Sequence, residues 1–190
     1  MISDKLLSEI HAQFRRQMNA DISQSLRQHG LNYRIAFGVP SMRLAEIARL
    51  YEPSAELAEV LWSEDIRESK MLATRLYPIE QMTPETAFRW MTEISHEEVA
   101  DQACMNLFAR LPYASTLCMQ WTESYEEKGS YRLYCALKIV NRLGAEHFAD
   151  EERKRLLKRL QTMANDTTLP LHLRTEAFWA AENFADTEEE

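Results

Sequence analysis

Asp101 is the residue whose type and setting best suit chemistry in this 190-residue chain. It stands in Trp90 to Cys104, WMTEISHEEVADQAC, which reads as the join of two antiparallel helices. A carboxylate in the first turns of a helix that lines a groove can stabilise a cationic intermediate or position a water. The helix dipole alone also favours acids at such a position, and Glu97 and Glu98 precede Asp101 there. His96 adds a fourth residue of metal-binding type. Its five-residue spacing to Asp101, with neither an HExxH pattern nor a second clustered His, predicts no metal site. No Walker A loop, nucleophile elbow or dinucleotide fingerprint occurs, so no cofactor is expected.

A second set of candidates is basic. The run ERKRLLKRLQ, residues 152–161, turns Leu156, Leu157 and Leu160 inward on a helix. Its cations then face water, and Arg153, Lys154, Lys158 and Arg159 are the candidates for binding phosphate. Asp150, Glu151 and Glu152 would balance the same surface if it were merely solvated. Aromatic side chains could stack on bases. Trp62, Trp90 and Trp121 recur at core-like positions, whereas Tyr131, Tyr134 and Trp179 fall on the second helix of their pairs and are the groove candidates.

These residues need helices to hold them. Residues 3–29 read as helix broken near Asn19, with Gly30 as the stop. A loop, LNYRIAFGVP, follows, and Ser41 stands where an N-cap belongs for a helix over 41–51. Four helix pairs then cover about 54–77, 83–110, 114–143 and 150–185. Ser54, Asp65, Thr83-Pro84 and Asp150 are the expected openings, EEKGS (126–130) the turn inside the third pair, and residues 186–190 a frayed acidic tail. Trp62, Trp90 and Trp121 fall late in successive first helices, and Ala73, Ala103 and Ala136 midway along the second ones. That register predicts an all-α, right-handed superhelical solenoid of antiparallel helix pairs forming a single domain over residues 1–190.

Composition sets outer limits. Hydrophobic residues at 45% and charged residues at 27% suit a globular chain, and only 4 Gly and 6 Pro argue against a turn-rich sandwich or barrel. A net charge of -8 disfavours tight binding of duplex DNA, since a polyanion needs a positive surface. Cys104, Cys118 and Cys135 form no CxxC pair and sit in apolar helical patterns, which points to reduced core thiols in a cytoplasmic protein. The charged N-terminus is no signal peptide and no run is long enough to cross a membrane.

With the repeats in place, the chain resembles the AlkD-like DNA alkylation repair family of HEAT-like helical-repeat proteins. The resemblance rests on FGVPSMRLAEIARL (37–50), LAEVLW then IRESKMLA (57–73), ISHEEVADQ (94–102) and YRLYCALK (131–138). It covers most of residues 30–143 and, more weakly, 165–184. It implies a metal-independent glycosylase fold, in which an Asp and aromatic faces stabilise the charge that builds on the sugar as an N3- or N7-alkylated purine leaves. Asp101 matches that Asp. Glu97 stands where the family places a Trp, Tyr134 falls near the family's Arg, and Trp179 is followed by Glu182 or Asn183 in place of a basic partner. The expectation is therefore a diverged, non-catalytic scaffold binding a protein or another ligand on its concave face. The alternative is an alkylpurine DNA glycosylase that retains Asp101, with Glu97 substituting for the missing aromatic.

Overall fold

The computed structural model describes residues 2–123 and 131–185. The chain divides into two compact units, one up to Met82 and one from Thr83 onward. All regular elements among the described residues are helical, and the sole β-type pairing is an isolated bridge between Ile35 and Ile66.

The first unit holds α1 (Asp4–Arg16), α2 (Ala20–Gln28), α3 (Ser41–Ala48), α4 (Ala55–Ser63) and α5 (Arg67–Leu76). The break expected near Asn19 is a helix start, where the Asn19 side chain accepts from the Ile22 amide at 3.1 Å. Ser54 caps α4 in the same way, through the Leu57 amide at 3.2 Å. Two expected caps are corrected. Pro40 occupies the cap of α3, and Ser41 is its first helical residue, its hydroxyl accepting from Arg75 at 3.1 Å. Ile66 occupies the cap of α5, because Asp65 instead accepts from the Arg34 amide at 3.1 Å.

The FGVP loop is held by Glu68, a fully buried carboxylate. One of its oxygens accepts from the amides of Gly38 (2.9 Å) and Val39 (3.2 Å), and the other accepts from that of Phe37 (3.0 Å). Arg67 donates to the same carboxylate at 2.8 Å and to the Val39 carbonyl at 3.0 Å. A buried charge is tolerated when its lone pairs are met in this way. Gly38 has φ +74°, and a Cβ there would run into the Asn19 carbonyl and lie 2.7 Å from the Ser23 nitrogen. Only glycine fits both the backbone and the space.

The second unit holds α6 (Pro84–Thr92), α7 (Glu97–Asn106), α8 (Ala114–Glu123), α9 (Arg132–Leu143), α10 (Asp150–Asn165) and α11 (Leu171–Ala185). Thr83 caps α6 with Pro84 in its first turn, as expected. The helix expected to run to Arg110 stops at Asn106. Leu107 leaves helical geometry at φ -132°, ψ -69°, and Phe108–Arg110 form a short 3-10 turn. The EEKGS turn and the acidic tail lie outside the described residues. α9 packs against α7, α8 and α11, and α10 packs against α8 and α11. Trp90 and Trp121 are buried in this unit, and Ala103 and Ala136 are fully buried on α7 and α9, where their size permits close approach of helices. Cys104, Cys118 and Cys135 are free and buried.

Candidate functional site

Three helices of the second unit each present a pair of side chains one turn apart, the spacing that puts them on one face. α7 presents Glu97 and Asp101, α9 presents Tyr134 and Lys138, and α11 presents His172 and Glu176. Because α9 lies against both α7 and α11, the three pairs meet. The Tyr134 hydroxyl lies 2.8 Å from Asp101 Oδ1 and 3.2 Å from Glu97 Oε1. A phenol carries one proton, so the two carboxylates compete for a single donor. Lys138 Nζ donates to Glu176 at 2.6 Å, stands 3.9 Å from Asp101 Oδ1 and lies 5.2 Å from the centre of the Tyr134 ring. Asn141, the next turn of α9, donates to the Glu176 side chain at 3.0 Å and to its carbonyl at 3.2 Å.

Three carboxylates gather here: Glu97 and Asp101 at the Tyr134 hydroxyl, and Asp101 and Glu176 on either side of the Lys138 ammonium. Burial, then the hydrogen bond to Asp101 and the charges of Asp101 and Glu97, push the Tyr134 phenol well above its ordinary value, so it remains a proton donor. Burial and the Glu97 charge raise Tyr131 as well. The Asp101 side chain stays 43% exposed and is open to a ligand. Beneath it, Cys104 donates to the Cys135 carbonyl at 3.7 Å. The contact with Cys104, then burial, raise the Cys135 thiol, and burial, then the Cys104 charge, raise Cys118. Thiols held protonated in this way are poor nucleophiles, so the chemistry open to the cluster is that of an oriented carboxylate.

Of the sequence-predicted residues, Glu97, Asp101, Tyr131 and Tyr134 come together. Tyr131 meets the Tyr134 ring edge-on at 6.1 Å, and His172 covers another side of it at 6.2 Å. Tyr134 is buried and offers no open stacking face. Trp179 is exposed on α11, its ring contact being with Phe178 at 5.4 Å. The basic helix divides. Arg153 donates to the Phe184 carbonyl at 3.2 Å, near the C-terminal end of α11. Arg159 donates to the Met119 carbonyl (3.1 Å), the Thr122 hydroxyl (3.3 Å) and Glu123 (2.9 Å) near the end of α8. Arg153 therefore meets a carbonyl in the last turn of α11, where carbonyls lack helical partners, and Arg159 ties down the end of α8 at a carbonyl that the Thr122 hydroxyl also reaches. Lys154 pairs with Glu151 at 3.4 Å, while Lys158 and Arg155 are exposed to solvent. Lys138, Glu176 and His172 were missed by sequence reasoning. The one available signal is the Tyr134/Lys138 spacing, which sets a donor and a cation on the same face as Asp101.

A helical-repeat scaffold with an acidic, aromatic-lined cluster on its second helices is the class that fold and geometry define. Residues 10–128 match the model of the DNA alkylation repair enzyme family, and the chain belongs to that family. The match takes in Glu97 and Asp101 and ends before α9. A solved structure described as "a new family of proteins related to the HEAT-like repeat DNA glycosylases with affinity for branched DNA structures" superposes with a TM-score of 0.75. The likeness covers 98% of this chain and 75% of that one at 16% identity, and it shows the fold to be HEAT-like. No curated protein sequence matches the chain.

Proposed function

We propose that this protein is a non-excising member of the family that binds DNA of branched structure. The observation that carries the loss of excision is the Tyr134 hydroxyl, which ties Asp101 to a second carboxylate, Glu97, where the glycosylase resemblance calls for an aromatic face. Lys138 lies between Asp101, at 3.9 Å, and Glu176, at 2.6 Å, so Glu97, Asp101 and Glu176 gather on this face. DNA brought close enough for a base to reach Asp101 would carry its phosphates into that negative field, at an electrostatic cost that low ionic strength increases. Support for DNA as the ligand comes from the family and from the branched-DNA affinity described for the structurally similar protein. A protein ligand has no comparable support.

Single-turnover release of N7-methylguanine and N3-methyladenine from duplex DNA, with protein in excess at low salt, tests the catalytic half. The expected result is release at the spontaneous rate. Anisotropy titration of a four-way junction against a duplex of the same length tests the other half, with tighter binding of the junction expected. Equal binding to both, or binding to neither, would overturn it. One observation favours the glycosylase reading instead: the Asp101 carboxylate is 43% exposed and held in a fixed orientation. Base release abolished by Asp101→Asn would establish that reading.

A further inference from the structure

Along α10 the exposed side chains Arg155, Lys158, Thr162 and Asn165 follow one another at spacings of three, four and three, which makes a straight stripe on one helix face. Two open depressions adjoin this stripe and share Lys158 and Thr162. One, of about 280 Å³, is lined by Arg155, Lys158, Arg159 and Thr162, and the other, of about 500 Å³, by Lys158, Gln161, Thr162, Asn165 and Asp166. Together they form an open furrow whose walls are largely aliphatic and whose cations stand at its surface.

The acids at its margins are already engaged. Glu151 is paired with Lys154 and Glu123 with Arg159. Asp166, at the far end, accepts from the Thr168 hydroxyl at 2.7 Å and the Thr168 amide at 2.9 Å, and those bonds hold its carboxyl below the usual range. Arg159 is held by the end of α8 and its charge is met by Glu123, so it lines the furrow without adding a free cation. Arg155 and Lys158 remain as two exposed cations one turn apart, about 5–6 Å between Cβ atoms. An open furrow with cations in a row suits a linear polyanion, whereas a small free anion needs donors that enclose it.

We propose that the Arg155–Lys158 stretch of α10 binds two backbone phosphates of a DNA strand, an inference that rests on the DNA-binding reading above. DNA would then be held by side chains of α10, none of which belongs to the acidic cluster of Glu97 and Asp101. Of the candidates expected from the sequence, Lys158 takes this role, joined by Arg155, which was not among them, while Arg153 and Arg159 hold helix ends.

The test is the salt dependence of four-way-junction binding for three proteins: the parent chain, R155Q/K158Q and K154Q. Each phosphate contact contributes about 0.9 to the slope of log affinity against log salt. Loss of two contacts narrows the gap between parent and double variant by about twelvefold from about 50 mM to about 200 mM salt. K154Q, which removes a charge already paired with Glu151, retains the parent slope. A double variant whose slope equals that of a junction-binding parent would overturn the assignment and leave DNA binding itself standing. A slope lowered equally by K154Q would also overturn it, since net charge would then be the cause. A parent chain that binds neither junction nor duplex would remove both the inference and the reading beneath it. Thermal unfolding of each protein checks that the exposed substitutions leave the fold intact.

Discussion

Tyr134→Phe removes one oxygen from the centre of the acidic cluster. That oxygen lies 2.8 Å from Asp101 and 3.2 Å from Glu97, within a buried ring flanked by Tyr131 and His172. A hydrogen bond to a charged group contributes about 1.5–3 kcal/mol. Asp101 is 43% exposed, so water replaces part of the lost bond, and a loss of about 1–2 kcal/mol at pH 7 is expected. The sharper consequence concerns pH. Burial and the two carboxylates raise the folded phenol above its ordinary value near 10. The protonated form is the neutral one, so this stabilisation is fully present below pH 10 and is lost as pH rises above it, where the unfolded chain releases a proton that the folded chain retains. Linkage for one proton gives a decline of about 1.4 kcal/mol between about pH 9 and pH 11. Urea denaturation of both proteins at several pH values in that range measures the difference directly, and the subtraction removes the contributions of other tyrosines. A difference that stays level from pH 9 to pH 11 would refute the placement of a buried phenol between two carboxylates.

Other substitutions probe the scaffold. Gly38→Ala places a Cβ against Asn19 and Ser23 at a positive φ, and it is expected to cost about 3 kcal/mol or more in urea denaturation. Glu68→Gln removes the carboxylate that meets the buried Arg67 guanidinium at 2.8 Å and the loop amides, and a loss of about 3–5 kcal/mol by the same measurement is expected. Arg159→Ala opens the end of α8 and is expected to lower stability by about 1–2 kcal/mol, read by thermal unfolding, whereas Lys158→Ala leaves stability within about 0.5 kcal/mol.

The elements most legible in the sequence were those set by local chemistry. Ser54 and Thr83 open helices as expected because each side chain needs only the amide three residues on, and the break expected near Asn19 is a cap of the same kind. The buried Trp62, Trp90 and Trp121 followed from helical spacing, which marks a core face regardless of the partner. What escaped depended on distant partners. Asp65 has the composition of a cap, but the Arg34 amide, 31 residues away, draws its carboxylate elsewhere. Arg153 and Arg159 look no different from Lys158 in a basic run, and only the neighbouring helix ends distinguish a cation that meets carbonyls from one that meets water. At the cluster, Asp101 and Tyr134 were both singled out in the sequence, yet their hydrogen bond spans 33 residues and no periodicity announces it. Lys138 was overlooked because a lysine on a helix usually belongs to a solvated face.

The Glu68 carboxylate also bears on how the first unit acquires its order. In a simple stack of repeats each hairpin settles on its neighbour, and folding spreads along the chain. Here the amides of Phe37, Gly38 and Val39 find their acceptor on α5, about 30 residues downstream and across both α3 and α4. Closing a segment of that length costs about 3 kcal/mol of chain entropy before any bond in the nest is rewarded. The loop is therefore expected to close late, after α4 and α5 have packed, and its opening alone would strand a buried charge. In hydrogen exchange these amides, although they lie in a loop, should exchange as slowly as the interior of α5, reporting on the opening of the whole unit.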